Sequence, residues 1–355
     1  MADPRVEKLA QILVNHSLTV KKGSKIAVNY QAEAHPLAME CYKLILKKGA
    51  YPIMHAAMSG LQYAYFKYAS KEQLKKFPDL VMYEAKYADG EINIGASYNS
   101  RELTNIDAAK IAVRRKVTKP ISDVIRKKRN WVIVEYPTNG LAQDAEMSLD
   151  EAEDFVYNAT NIDWKKVEKQ GEKLKKVIDK GNEVRIIGKE TDIRFSIKGR
   201  KGENSAGKFN MPDGEVFTSP IENTTKGFIT FEYPAIYGNK EVEGVKLAFR
   251  DGRVVQAGAR KNQDYLLKML KVDHGASRLG EFGIGINYGI KKFTKRILFD
   301  EKIGGTIHLA LGESFPECGG INQSAIHWDM IKDLRKEGQV YVDNKLIIKN
   351  GKILV

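Results

Sequence analysis

Cysteine is nearly absent. The chain has two, Cys41 and Cys318, far apart in sequence. Two such thiols build neither a disulfide framework nor a cysteine-zinc motif. A reducing compartment, the cytoplasm, is therefore expected. Long apolar runs are missing too. No window approaches the length of a membrane span, so no membrane association is expected. The amino-terminal stretch "MADPRVEKLAQILVNHS" is charged and amphipathic, where a signal peptide would carry an unbroken apolar core. There is no Gly-x-Gly-x-x-Gly after a strand and no phosphate-loop lysine motif. Internal repeats and low-complexity tracts are also lacking.

Acid is in short supply relative to base. Lys and Arg number 58 against 45 Asp and Glu, a formal charge of +13. Such a surplus raises nucleic acid as a partner. The distribution argues against it. Basic residues recur in short groups, "KKG", "RRK", "RKKR" and "KKL", usually near acids. The densest, Arg126 to Arg129, is too short for a nucleic-acid arm. No Arg/aromatic/Gly pattern offers a stacking platform. A solvated surface is the better reading, and a Lys- and Glu-rich surface with few cysteines also fits a thermophile. No nucleic-acid partner is expected.

What is present is an ordinary globular composition, 43% hydrophobic and 29% charged over 355 residues. That length points to two domains. The first third alternates helix and strand. "VEKLAQILVNHSL" has apolar residues at helical spacing, and "KIAVNY" reads as a strand. "HPLAMECYKLILKKG" reads as a helix with Pro36 in its first turn and Gly49 as its stop. "YPIMHAA" is another strand, and "REL" to "AKIAV" and "NWVIVEYPT" continue the alternation. This texture predicts an α/β domain with a parallel sheet.

A charged helix from Trp164 to Gly181 follows, and then the texture changes. "EVRIIGK", "DIRFSIKG", "GFITFEYPAIYG", "VEGVKLAFRDGRVVQAGA" and "QVYVDNKLIIKNGKILV" are short strands. "RDGR", "VDNKL" and "KNGK" read as tight hairpins. The expectation is an α/β N-terminal domain over 1–180, including the connecting helix. An α+β C-terminal domain rich in antiparallel strands then covers 181–355.

The first half offers little chemistry. His16, His35 and His55 are isolated. Glu33 and His35 follow the strand "KIAVNY", where open α/β sheets often bind ligands. The second half carries four polar segments in glycine-rich or apolar surroundings. "NMPDGEVFTSP" holds Glu215 just after a turn, where it could equally be a surface acid. "RLGEFGIGIN" holds Glu281 between Gly280 and Phe282; unpaired burial there would be costly, and a cation or Arg278 could offset it. "GGTIHLALGES" centres His308 in a strand pattern, where a core histidine is the alternative. "GGINQSAIHWDMI" places His327 and Asp329 two residues apart, on one face of a strand and opposite Trp328. Imidazoles suit first-row transition metals, and carboxylates bridge pairs of them. Five such groups exceed what one catalytic metal takes from protein. Two ions sharing a carboxylate would fit, and such a pair supports amide or ester hydrolysis.

"PDGEVFTSP", "GEFGIGIN", "IHLALG" and "GGINQSAIHWDMI", in this order, resemble the aminopeptidase T (thermophilic aminopeptidase) family of dinuclear metallopeptidases. The resemblance is specific over roughly 205 to 335. It implies an aminopeptidase that takes N-terminal residues from short peptides through a water activated by two metals. It implies zinc or cobalt, with manganese also tested, and a homodimer. It implies Glu215, Glu281, His308, His327 and Asp329 as metal ligands. Asp329 is the expected bridge, and Glu215 or Glu281 the proton acceptor. One departure stands out. The family pattern has a tyrosine seven residues after the first ligand histidine, and here that position is Phe315. The alternative is thus a metal-binding homologue with weak or altered hydrolase activity. Tyr288, Glu313 and Glu317 are candidate substitutes for the missing hydroxyl.

Overall fold

The computed structural model describes residues 3–238 and 240–355. The chain divides into two compact units. The first comprises residues 1–162 and 207–212, and the second 163–206 and 213–355.

The first unit is an open α/β sheet. Strands β1 (Lys25–Gln31), β2 (Tyr51–Ala57), β3 (Gly90–Gly95) and β4 (Trp131–Glu135) run parallel. Helix His35–Lys47 links β1 to β2, with Pro36 in its first turn and Gly49 left-handed just beyond its end (φ 67°). Proline lacks only an N–H that the first turn leaves unbonded anyway, and glycine reverses the chain without a Cβ clash. β3, in "GEINIG", escaped the alternation because its polar residues interrupt the apolar run. The basic cluster Arg126–Arg129 closes helix Ala108–Lys128. There Lys128 donates to the carbonyl of Lys86 at 2.9 Å and also to that of Ala88. Cations at a helix C-terminus complement its dipole.

The second unit opens with helix Trp164–Lys180, then β5 (Glu183–Gly188), β6 (Thr191–Ser196) and β7 (Glu203–Ser205). The chain then lays β8 (Asn210–Met211) beside β4, giving the first sheet the order β2-β1-β3-β4-β8. Next come β9 (Glu215–Thr218), β10 (Lys226–Thr230), β11 (Ala235–Tyr237), β12 (Lys240–Val242), β13 (Lys246–Arg250) and β14 (Arg253–Gly258). β15 (Leu279–Gly285), β16 (Thr306–Gly312), β17 (His327–Asp333), β18 (Gln339–Val342), β19 (Lys345–Lys349) and β20 (Lys352–Ile353) follow. An eight-stranded sheet, β14-β13-β10-β6-β5-β18-β19-β20, and a five-stranded sheet, β17-β16-β15-β9-β7, carry most of them, with every pairing antiparallel. All three predicted hairpins form. Asp251–Gly252, Asp343–Asn344 and Asn350–Gly351 each occupy a two-residue turn with positive φ at both positions. The sequence-based expectation of a parallel α/β sheet followed by a region rich in antiparallel strands is met.

One hydrophobic core fills the second unit. The five-stranded sheet gives it Val216, Phe282, Ile284, Ile307, Leu309, Leu311, Trp328 and Met330. These alternate along their strands with residues of the opposite face, as a period of two requires. That second face carries the polar groups of interest. Helix Trp164–Lys180 contributes Leu174 and Ile178 to the same core. No helix among the described residues is long and apolar enough to cross a membrane.

Candidate metal centre

The five residues singled out by sequence share one sheet face. Glu215 starts β9, Glu281 lies in β15, His308 in β16, and His327 and Asp329 in β17. Register brings them together. Glu281, Ala310 and Asp329 stand opposite one another across three strands, as do Gly283, His308 and Ile331. Gly285 faces Glu215, and Gly312 faces His327. Small residues thus sit between the polar ones, and at Gly283 the space above the sheet is taken by the His308 ring. Gly283 has no freedom here. A Cβ built on it would lie 2.0 Å from Nε2 of His308. Trp328 points to the other face, 1% exposed, with its ring near those of Tyr237 and Tyr265.

Among the described residues, two sets place potential ligand atoms within 4.8 Å of one another. One is Glu215, Glu281 and His308; the other is Glu281, His327 and Asp329. His308 Nε2 lies 3.3 Å from Glu215 Oε2 and 3.4 Å from Glu281 Oε1. His327 Nε2 lies 3.0 Å from Glu281 Oε2 and 3.5 Å from Asp329 Oδ1. The carboxylate common to both sets is therefore Glu281, one oxygen toward each histidine. Asp329, the expected bridge, belongs to the second set alone, because it shares a strand with His327 and lies a strand farther from Glu215.

Burial makes this cluster expensive without a cation. Glu215, Glu281 and His308 are buried. Burial pushes Glu215 up to about 8, against the pull of Lys302 and His308. Burial also raises Glu281, but hydrogen bonds from His308 and His327 overcome it and hold that carboxyl at about 2. Burial opposes the charged form of both histidines, yet the carboxylates win. Glu281 and Glu215 lift His308 to about 10, and Asp329 and Glu281 lift His327 to about 12. Protons are thus drawn in to supply positive charge that the carboxylates demand. Among the described residues, buried Glu215 Oε2 and Asp329 Oδ1 also lack a well-formed hydrogen bond, meeting only the histidine nitrogens at 3.3 and 3.5 Å. Unsatisfied buried oxygens beside two imidazole nitrogens fit a divalent metal, which would displace those protons.

Outer contacts orient the ring of His327. Its Nδ1 lies 2.8 Å from the carbonyl of Glu313, so Nδ1–H donates there and Nε2 faces Glu281 and Asp329. The sequence reading missed Lys302. It is fully buried, with Nζ 3.6 Å from Glu215 Oε1 and in contact with the Glu301 carboxylate. The available signal was the charged run Asp300-Glu301-Lys302 wedged between Phe299 and Ile303. Phe315 lies beside the centre. Its ring is 5.1 Å from that of His327 and 5.0 Å from that of Phe217. The Tyr288 hydroxyl is committed to the carbonyl of Gly351 at 2.8 Å. Of the first-unit histidines, His55 pairs with Glu84 at 2.7 Å.

Known proteins share this fold and sequence pattern. Aminopeptidase 2 of Geobacillus stearothermophilus is 24% identical over 386 residues, covering 93% of this chain and 92% of that protein. Aminopeptidase T of Thermus thermophilus is 23% identical, covering 88% and 85%. The solved structure of wild-type AmpT from Thermus thermophilus superposes with a TM-score of 0.85 at 22% identity, covering 99% of each chain. A 2,5-dihydroxypyridine dioxygenase from Pseudomonas putida KT2440 also shares the fold, with a TM-score of 0.62 at 12% identity over 99% and 97%. Fold alone therefore does not choose the chemistry. The sequence does better: residues 2–353 match the thermophilic metalloprotease (M29) family, and the chain belongs to it.

Proposed function

We propose that this metallo-aminopeptidase holds two divalent metal ions and removes N-terminal residues from short peptides. The carrying observation is the sharing of Glu281. Its Oε1 faces His308 and its Oε2 faces His327, so one carboxylate serves two adjacent donor sets. Glu215 and His308 would complete one set, and His327 and Asp329 the other. Imidazole and carboxylate donors suit zinc or cobalt, with manganese also acceptable. When bound, such ions polarise the scissile carbonyl and make water nucleophilic near neutral pH.

The chain's own groups do the rest. Glu281 is committed to both histidines, Oε1 at 3.4 Å from His308 and Oε2 at 3.0 Å from His327, whereas Glu215 approaches His308 alone, at 3.3 Å. Glu215 is therefore the better proton acceptor of the two. Lys302 holds its other oxygen. Phe315 and Phe217 form an apolar wall beside His327, suited to exclude water. The family resemblance supports a homodimer, and the two free buried cysteines support a reducing, cytoplasmic setting.

A second reading keeps the metals and gives up efficient peptidase action. Phe315 favours it, because no hydroxyl stands at the position beside His327. Elemental analysis of purified protein tests both readings together. Two metals per chain are expected, one lost on Glu215→Ala or Asp329→Ala and both on Glu281→Gln. Substoichiometric metal in the wild type would sink both. Aminoacyl-p-nitroanilide turnover with zinc, cobalt or manganese then separates them, since metal-loaded protein without turnover supports only the second.

A further inference from the structure

The first unit contains a cavity of about 580 Å³, lined by none of the five candidate donor residues. It lies at the carboxyl ends of β1, β2 and β3, lined by Gln31, Ser59, Ser97 and residues that follow them. The strand order β2-β1-β3 reverses at β1, and open α/β sheets bind ligands outside the carboxyl ends of their strands at such a switch. The volume is that of a small-molecule site.

The lining mixes apolar surface with polar side chains and carries two opposite charges. Tyr65, Phe66 and Tyr98 supply ring surface, while Glu102 and Arg114 both reach the cavity. Glu102 has no cation partner and Arg114 no carboxylate partner among the described residues. Arg114 is held by one donor to the carbonyl of Lys76 at 2.7 Å and by the Tyr65 ring, 5.6 Å from its Cζ. Among the described residues the remaining guanidinium donors have no hydrogen-bond partner and can serve a ligand. Glu102 stands at the other end. Its Oε1 comes within 3.9 Å of a Cβ built on Gly60, at the start of helix Leu61–Tyr68. Gly60 and Tyr65 are about 7.5 Å apart along that helix. Beside Gly60, the Ser59 hydroxyl donates to Glu33 Oε1 at 2.6 Å, and buried Glu33 Oε2 has no partner. The cavity thus meets the Glu102 carboxylate near Gly60 and the Arg114 guanidinium near Tyr65.

We propose that this cavity binds a free α-amino acid with an apolar side chain. The ammonium group lies toward Glu102, the carboxylate meets Arg114, and the side chain rests among Tyr65, Phe66 and Tyr98. The inference stands on the first unit alone and is independent of the peptidase reading, although a peptidase would generate such ligands.

Calorimetric titration of the full-length, chelator-treated protein with L-phenylalanine tests it, alongside N-acetyl-L-phenylalanine and L-phenylalaninamide; chelation keeps the amide from being hydrolysed at the metal centre. L-Phenylalanine should bind, and each analogue should bind about tenfold more weakly or worse, as expected for loss of one charged hydrogen bond. Glu102→Gln should abolish discrimination against the N-acetyl compound, and Arg114→Gln discrimination against the amide. Glu281→Gln, which disables the metal centre, should leave the titration unchanged. No heat with L-phenylalanine at millimolar concentration would overturn the proposal. So would equal binding of all three ligands, or binding lost in Glu281→Gln and kept in both cavity variants.

Discussion

Lys302 gives the most demanding test of how this centre is held together. Its side chain is fully buried, with Glu215 Oε1 3.6 Å from Nζ and the Glu301 carboxylate in contact. Those two carboxylates overcome burial and keep the ammonium charged. At an effective dielectric near 20, a fully ionised contact at this range corresponds to about 4–5 kcal/mol, an upper bound because burial raises both carboxyls. Replacing Lys302 by methionine keeps the stem volume and removes the charge. Glu301, whose side chain is only 17% exposed, is then left without its cation. Breaking a buried pair in this way costs about 3–5 kcal/mol. In a unit of this size that lowers the melting midpoint by roughly 10 °C.

The double variant Lys302→Met/Glu301→Gln sharpens the argument. It removes the stranded charge as well, so the loss should shrink by about 2 kcal/mol relative to the single variant. Urea titration of chelator-treated protein, followed by tryptophan fluorescence (Trp164 and Trp328 in the second unit, Trp131 in the first), measures all members of the cycle. A single-variant loss below about 1 kcal/mol would refute the charge-pair reasoning. So would strictly additive losses from the two substitutions.

Gly283→Ala should cut bound metal severely while the chain stays folded, because the new methyl would lie 2.0 Å from His308 Nε2; full metal content by elemental analysis would contradict this. Phe315→Tyr should raise p-nitroanilide turnover, by up to about a hundredfold if the hydroxyl reaches the oxyanion, at constant metal content. Unchanged turnover would show that the position beside His327 takes no part in the reaction. Asp300 gives a pH prediction. Burial pushes its carboxyl up to about 8 despite bonds from the Thr294 amide and hydroxyl at 2.7 and 2.9 Å. Between its unfolded value, about 4, and about 8 the folded state keeps a proton that the unfolded chain has released. This contribution to stability is therefore whole below about pH 4 and is lost as pH rises toward 8, by up to about 1.4 kcal/mol per unit. Asp300→Asn should flatten the fall of the urea midpoint over that window; an equally steep fall would count against it.

Much of this architecture was legible where local chemistry dictates it. Asp-Gly, Asp-Asn and Asn-Gly between apolar runs need positive φ at both turn positions, and all three turns have it. The His-x-Asp pair needed only the two-residue period of a strand. Other features depend on register, which no single segment encodes. Glu281 reaches both histidines because register sets it opposite Ala310, in the row between those of His308 and His327; Asp329 shares that row but stands on the edge strand β17, farther from Glu215. β8 is two paired residues inserted among strands of the second unit, so neither length nor hydrophobicity marks it.

Lys302 shows why the remainder was hidden. A lysine beside two acids reads as solvated surface, and most such runs are. What buries this one is an arrangement of strands far apart in sequence, with Glu215 on β9 and Lys302 just before β16. The same argument explains the glycines of β15. Their spacing hinted at an unusual strand, but only the approach of His308 to Gly283 and of the Ile303 carbonyl to Gly285 explains why side chains are excluded. Sequence thus pointed to the candidate donors, which chemistry restricts to a few residue types. The groups that orient them were invisible, because what selects a buried lysine or a bare glycine is the space and charge left by its neighbours.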